Sequence, residues 1–160
     1  MSYQPLERAG LIEPCQVTQG EIKALLEVAR RDVKTARGLV NIDLDWALAV
    51  AYNAALQAGL AFMYAKGYRP RGSARHKTVI RFLQAALDPS FRPKLNRLDR
   101  IRKKRHQAIY RLAGAVSEIE AKGTIQFYRG IRCPTRQSGL RRLESRKRRK
   151  PYGELSERIC

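Results

Sequence analysis

The chain has 160 residues, 44% of them hydrophobic, and a formal charge of +19 at pH 7. That length suits a single domain with a real core, and the charge excess argues against a balanced surface and for a polyanionic partner: RNA, DNA or an acidic protein. Cys15, Cys133 and Cys160 lie far apart with no CxxC spacing, which argues against a disulfide framework or a zinc site and for reduced thiols in a cytoplasm. Residues 1–17 are punctuated by Pro5, Gly10 and Pro14 and read as irregular. No charged start followed by an apolar run opens them, so no signal peptide is expected. Thr18 with Glu21 three residues later spells a capping box, and Ile22, Leu25, Leu26, Ala29, Val33 and Ala36 follow at helical spacing towards Gly38. A second helix starts near Asp43 or Asp45, acids favoured at a helix N-terminus, and runs to Lys66 before Gly67. Its stretch "WALAVAYNAALQAGLAFMYA" is long enough to weigh as a membrane span. The many alanines, with Asn53 and Gln57 placed to hydrogen-bond across a bundle, make it a buried helix instead, and no membrane partner is expected.

"GYRPRGSAR" reads as an interhelical loop, either simply solvated or with its Arg69, Arg71 and Arg75, together with Lys77, extending an anion-binding surface. "HKTVIRFLQAAL" makes a short helix closed by Asp88 and Pro89, with His76 at its start. Pro93 suits the first turn of a fourth helix. A fifth covers "AGAVSEIEAKGTIQFYRGIR", where Gly123 reads as an interruption. After Cys133 apolar residues thin out, and seven Lys or Arg fall between 141 and 150. That composition reads as a flexible, disordered basic tail. The expectation is an all-α protein: residues 1–17 irregular, an up-and-down bundle of four to five helices over 18–132, and a tail over 133–160.

The fourth helix, "LNRLDRIRKKRHQAIYRL", raises the sharpest question. On a wheel of about 100° per residue, Leu95, Leu98, Ile101, Ala108, Ile109 and Leu112 form one arc, and Arg105 falls near its centre. Asp99, Arg102, His106 and Tyr110 form a strip on its flank. A lone buried guanidinium costs several kcal/mol. Either an acid such as Asp43, Asp45 or Asp99 neutralises Arg105 and locks helix order, or that face meets a polar cleft. Arg100, Lys103 and Lys104 point away from the arc, where they read as a solvated face or as phosphate contacts. Arg102, Arg105, His106 and Tyr110 combine an imidazole, a phenol and two guanidiniums. Cleavage of RNA without a metal needs such a set: a base for the ribose 2′-hydroxyl, an acid for the leaving oxygen and a cation on the phosphate. No metal constellation, phosphate loop or dinucleotide motif stands out, so no cofactor is expected.

The pattern "RKKRHQAIY", after an alanine-rich helix ending in "AKGYRPRGSARHKTVI", resembles the HEPN superfamily of small helical bundles over roughly residues 18–132. The resemblance implies a dimer in which two motifs, arginine, a polar residue, three residues and a histidine, face one cleft where RNA is cut without metal. Arg105 and His106 match its first two positions. Tyr110 stands where histidine is usual, and Arg102 matches an arginine three residues earlier seen in small bacterial members. A looser spacing would pair Arg100 with His106, but the wheel separates those two, which favours Arg105 and Arg102. The resemblance thus implies an endoribonuclease, a toxin or defence component, working as a homodimer. Two other readings follow from the same residues. One is an inactive HEPN-like module that binds nucleic acid or nucleotide, because Tyr110 replaces the histidine. The other is a helical interaction protein whose positive surface docks onto an acidic antitoxin or ribosomal RNA.

Overall fold

A computed structural model describes residues 3–110, Gly114 and 116–135; for 105–110 and 129–135 it describes the helical backbone alone. Among these residues the chain is an all-α bundle. α1 (Gln4–Arg8) and β1 (Ile12–Pro14) precede the long helices α2 (Gln19–Leu39) and α3 (Leu44–Ala65). β2 (Tyr68–Pro70), α4 (Arg75–Ala86), a 3-10 turn (Pro89–Phe91), α5 (Arg92–Tyr110) and α6 (Glu118–Thr135) follow. The basic tail expected over 133–160 starts inside α6, whose helical backbone runs on to Thr135; its remainder lies outside the described residues.

Local chemistry sets the helix starts. Thr18 and Glu21 form the expected capping box, with Glu21 N–H donating to Thr18 Oγ1 and Thr18 N–H donating to Glu21 Oε2 at 2.7 Å. Asp43 caps α3 by accepting from Trp46 N–H at 2.9 Å. Pro93 sits in the first turn of α5, where its missing N–H costs nothing.

α3 is the central rod. It is long and apolar enough to cross a membrane by composition, and 72% of that apolar window is buried inside the bundle. α2, α4, α5 and α6 all pack on it. Its alanines let them approach, and Tyr52, Leu48 and Met63 fill the middle with Phe82, Leu83, Leu95 and Leu98 from α4 and α5. Asp32 of α2 is buried at the α2–α3 seam, where Asn53 Nδ2 donates to it at 2.6 Å and Arg31 donates twice. That bond is the cross-bundle contact expected of Asn53.

Three expectations need correction. Residues 1–17 are not irregular: Tyr3 stacks on Phe82 at 4.6 Å between ring centroids, and Ile12 is 2% exposed within the core. "GYRPRGSAR" is not all loop, because Tyr68–Pro70 pairs antiparallel with β1 in the register Ile12 to Pro70, Glu13 to Arg69 and Pro14 to Tyr68. Gly67, at φ +82°, turns the chain out of α3 into that ladder, and its carbonyl accepts from Cys15 N–H at 2.8 Å. Gly123 does not interrupt α6. A Cβ there would lie 2.6 Å from the Arg97 guanidinium, so the glycine opens the helix surface to that side chain, which donates to Ile119 O at 3.1 Å.

Candidate nucleic-acid interface

Leu95, Leu98 and Ile101 are 1%, 1% and 5% exposed, so the first half of the apolar arc on α5 faces the core. Position 105 follows Ile101 by one helical turn on the same side. The side chains of Arg105, His106 and Tyr110 lie outside the described residues. Arg102 is described: half-buried, it donates from Nε to Asp99 Oδ1 at 2.9 Å, so two of the four residues on the flank strip form a bonded pair. The three acids weighed as neutralisers of Arg105 each have a partner. Asp43 caps α3. Asp45 accepts from Gly114 N–H at 2.6 Å and Val116 N–H at 3.1 Å, tying the α5–α6 connection to the start of α3. Asp99 holds Arg102 and has Lys103 at 3.9 Å.

The seven cations expected on an anion-binding surface, Lys77 among them, divide sharply. Arg69 Nε donates to Glu13 Oε1 at 2.6 Å across the β ladder, and Arg71 lies 3.8 Å from the same carboxylate. Lys104 does not simply point away from the bundle. Its Nζ donates to both oxygens of Glu120 on α6 at 2.9 and 2.8 Å. Those bonds, reinforced by the Ser117 N–H and hydroxyl donors, hold the Glu120 carboxyl down at about 2 against the opposing effect of partial burial. Glu120 with Ser117 also forms the capping box of α6. Lys104 therefore joins two helices. Arg75 opens α4 and is exposed, as are Lys103 and Arg100.

Depressions lie on both sides of α5, among them one of about 350 Å³ between Lys94 and Arg97 of α5 and Thr124 and Phe127 of α6. Between α4 and α5 lies a groove of about 340 Å³ walled by Lys77, Arg81 and Gln84 on one side and Asn96, Asp99 and Arg100 on the other. Gln84 Nε2 donates to Asn96 Oδ1 at 3.0 Å. Lys77, Arg81 and Arg100 pair with no carboxylate among the described residues. Between α5 and α6 a second depression of about 580 Å³ is lined by Arg97, Arg100, Lys103, Lys104 and Glu120 around Ile101. Arg100 belongs to both.

Arg81 was missed in reading the sequence, and Lys77 was grouped with the preceding loop. The signal was their i, i+4 spacing on the face of α4 opposite the buried Val79, Phe82 and Leu83. His76, the second residue of α4, places Nδ1 3.3 Å from the hydroxyl of fully buried Tyr52. Such a contact fixes the ring against the bundle, with the tautomer deciding which atom donates. No family model matches the chain, and no curated protein matches it either.

Proposed function

We propose that the chain is a HEPN-like endoribonuclease that cuts RNA without a metal cofactor, using Arg105, His106, Tyr110 and Arg102 on α5. The single observation that carries the reading is the sequence of that helix. It sets Arg105, His106 and Tyr110 at the spacing of an arginine–polar–xxx–acid/base motif, on an element continuous from Arg92 to Tyr110. The motif sits in a strongly basic chain. Arginine at 105 would hold the scissile phosphate, and His106 would take the 2′-hydroxyl proton. Tyr110 would serve the leaving oxygen, with Arg102 oriented by Asp99.

A homodimer belongs to this reading. Ile42 (79% exposed), Trp46 (54%) and Ile119 (79%) gather at the end of the bundle where Asp45 holds the α5–α6 connection. Large apolar side chains left exposed suit a second subunit.

The decisive experiment is RNA cleavage in EDTA by the wild-type chain, Arg105→Ala and Tyr110→Phe, with products assayed for 2′,3′-cyclic phosphate ends. Activity that survives EDTA and disappears in Arg105→Ala is expected. Tight, salt-dependent binding with no cleavage favours the second reading, a nucleic-acid-binding module that has lost catalysis. The observation behind that alternative is Tyr110 at the position of a histidine.

A further inference from the structure

We propose that the α4–α5 groove is the path of the substrate strand, with Lys77, Arg81 and Arg100 seating successive phosphates of single-stranded RNA beside the motif end of α5. The inference rests on the RNA-cleaving reading and assigns that site its binding track.

Charge selects this groove over its neighbour. In the α5–α6 depression Arg97 is committed to the Ile119 carbonyl, Lys104 to Glu120, and the Glu120 carboxylate itself faces any incoming anion. In the α4–α5 groove the one acid, Asp99, is occupied by Arg102 and Lys103, while Lys77, Arg81 and Arg100 have no carboxylate partner among the described residues. The neutral amides of Gln84 and Asn96 close one end and offer further polar contacts to sugar or base.

Direction follows from the antiparallel packing of the two helices. Gln84, near the end of α4, meets Asn96, near the start of α5. Lys77 and Arg81 share the groove with Asp99 and Arg100. Moving towards the first turn of α4 therefore means moving along α5 towards Arg102 and positions 105–110. Arg100 and position 105 are separated by about 7.5 Å of helix rise. Position 105 also lies about 140° round the helix from Arg100, whereas positions 106 and 110 continue the strip that begins at Asp99 on the groove side of α5, so a strand held at Arg100 is led towards those two positions. At about 340 Å³ the groove has room for phosphate and sugar of a strand lying along it.

The test compares two charge-matched triple variants of the full chain: Lys77→Gln/Arg81→Gln/Arg100→Gln, and Arg30→Gln/Lys34→Gln/Arg37→Gln on the exposed face of α2. Binding of a mixed-sequence single-stranded RNA oligonucleotide is followed by fluorescence anisotropy between about 50 and 200 mM salt, where each lost phosphate contact flattens the log–log slope by about 0.7. Circular dichroism confirms that both variants fold. The groove variant is expected to lose at least about tenfold in affinity and about two units of slope, with the α2 variant close to wild type. Equal losses in both variants, an unchanged groove variant, or a wild-type chain that does not bind the oligonucleotide overturns the proposal. Cleavage assayed on the same samples separates the two ideas. Wild-type binding that needs the groove, without any cleavage, removes the nuclease reading and keeps the groove. Cleavage unaffected in the groove variant removes the groove and keeps the nuclease.

Discussion

Gly59→Ala sets two opposing effects against each other at the seam that positions α4. Alanine in a helix interior is favoured over glycine by about 0.8–1.0 kcal/mol. At position 59, however, a Cβ would lie 2.9 Å from Leu83 Cδ1 and 3.0 Å from Val79 Cγ1. Comfortable carbon contacts begin near about 3.5 Å, so one of those side chains or the whole of α4 must move by roughly half an ångström. Leu83 and Val79 are 0% and 2% exposed, so that movement has to be taken up inside the packed core. Overpacking of this kind costs about 1–3 kcal/mol, and the net expectation is a loss of about 1 kcal/mol. Gly38→Ala is the matched control, because nothing lies within 4 Å of a Cβ there. It should gain about 0.5 kcal/mol from helix propensity and reduced chain entropy. In urea, at a slope of about 2 kcal/mol/M, the two midpoints should separate by about 0.7 M, on opposite sides of wild type. A Gly59→Ala midpoint raised as far as that of Gly38→Ala would refute the close α3–α4 packing on which the groove depends.

Three further perturbations test the remaining joints. Tyr128 is 3% exposed and its hydroxyl has no hydrogen-bond partner among the described residues, so Tyr128→Phe should stabilise by about 1 kcal/mol in urea melts. The Glu120 carboxyl is lowered from 4.5 to about 2, so its contribution is present above about pH 4.5 and is lost as pH falls through about 2. The full shift would amount to about 3 kcal/mol, but a side chain about one-third exposed is screened. Glu120→Gln should therefore cost about 1 kcal/mol at pH 7, a deficit that shrinks on acidification to pH 2. Asp45→Ala removes the acceptor of two backbone N–H groups and should cost about 2 kcal/mol. Amide exchange at Gly114 and Val116 should quicken at the same time, and Asp45→Asn, which keeps one acceptor, should recover part of both.

What could be read from the sequence was what neighbouring residues decide together. Thr18 and Glu21 announce their capping box because the motif is three residues long, and Asp43 and Pro93 mark helix starts for the same reason. The β ladder escaped because three residues cannot show a period of two, and Pro14 and Pro70 disguise both strands. Gly123 looked like a break because the guanidinium it accommodates comes from position 97 on another helix. Lys104 looked like a solvated cation for a similar reason: its partner, Glu120, is on α6. The motif on α5 was legible as a pattern. Which cations around it are already spoken for is a tertiary fact.

That distinction changes what the charge of +19 means. Several of the 33 Lys and Arg do internal structural work, and the carboxylates they pair with are already subtracted in that net figure. Arg31 serves Asp32, Arg69 and Arg71 share Glu13, Arg97 holds a carbonyl of α6, Arg102 leans on Asp99 and Lys104 bridges to Glu120. α5 nonetheless carries Lys94, Arg97, Arg100, Lys103 and Lys104 in i, i+3 and i, i+4 relation, pairs of like charge that each cost about 0.2–0.5 kcal/mol. Such a helix is not held by its own propensity. Burial of Leu95, Leu98 and Ile101, each contributing about 2 kcal/mol, holds it to α3. A single carboxylate at position 81 or 100 would ease the repulsion across the α4–α5 groove at no cost to the core, since both positions are exposed. Three cations stand there instead, without a carboxylate partner among the described residues, and any anion lying between the two helices would lower their mutual repulsion.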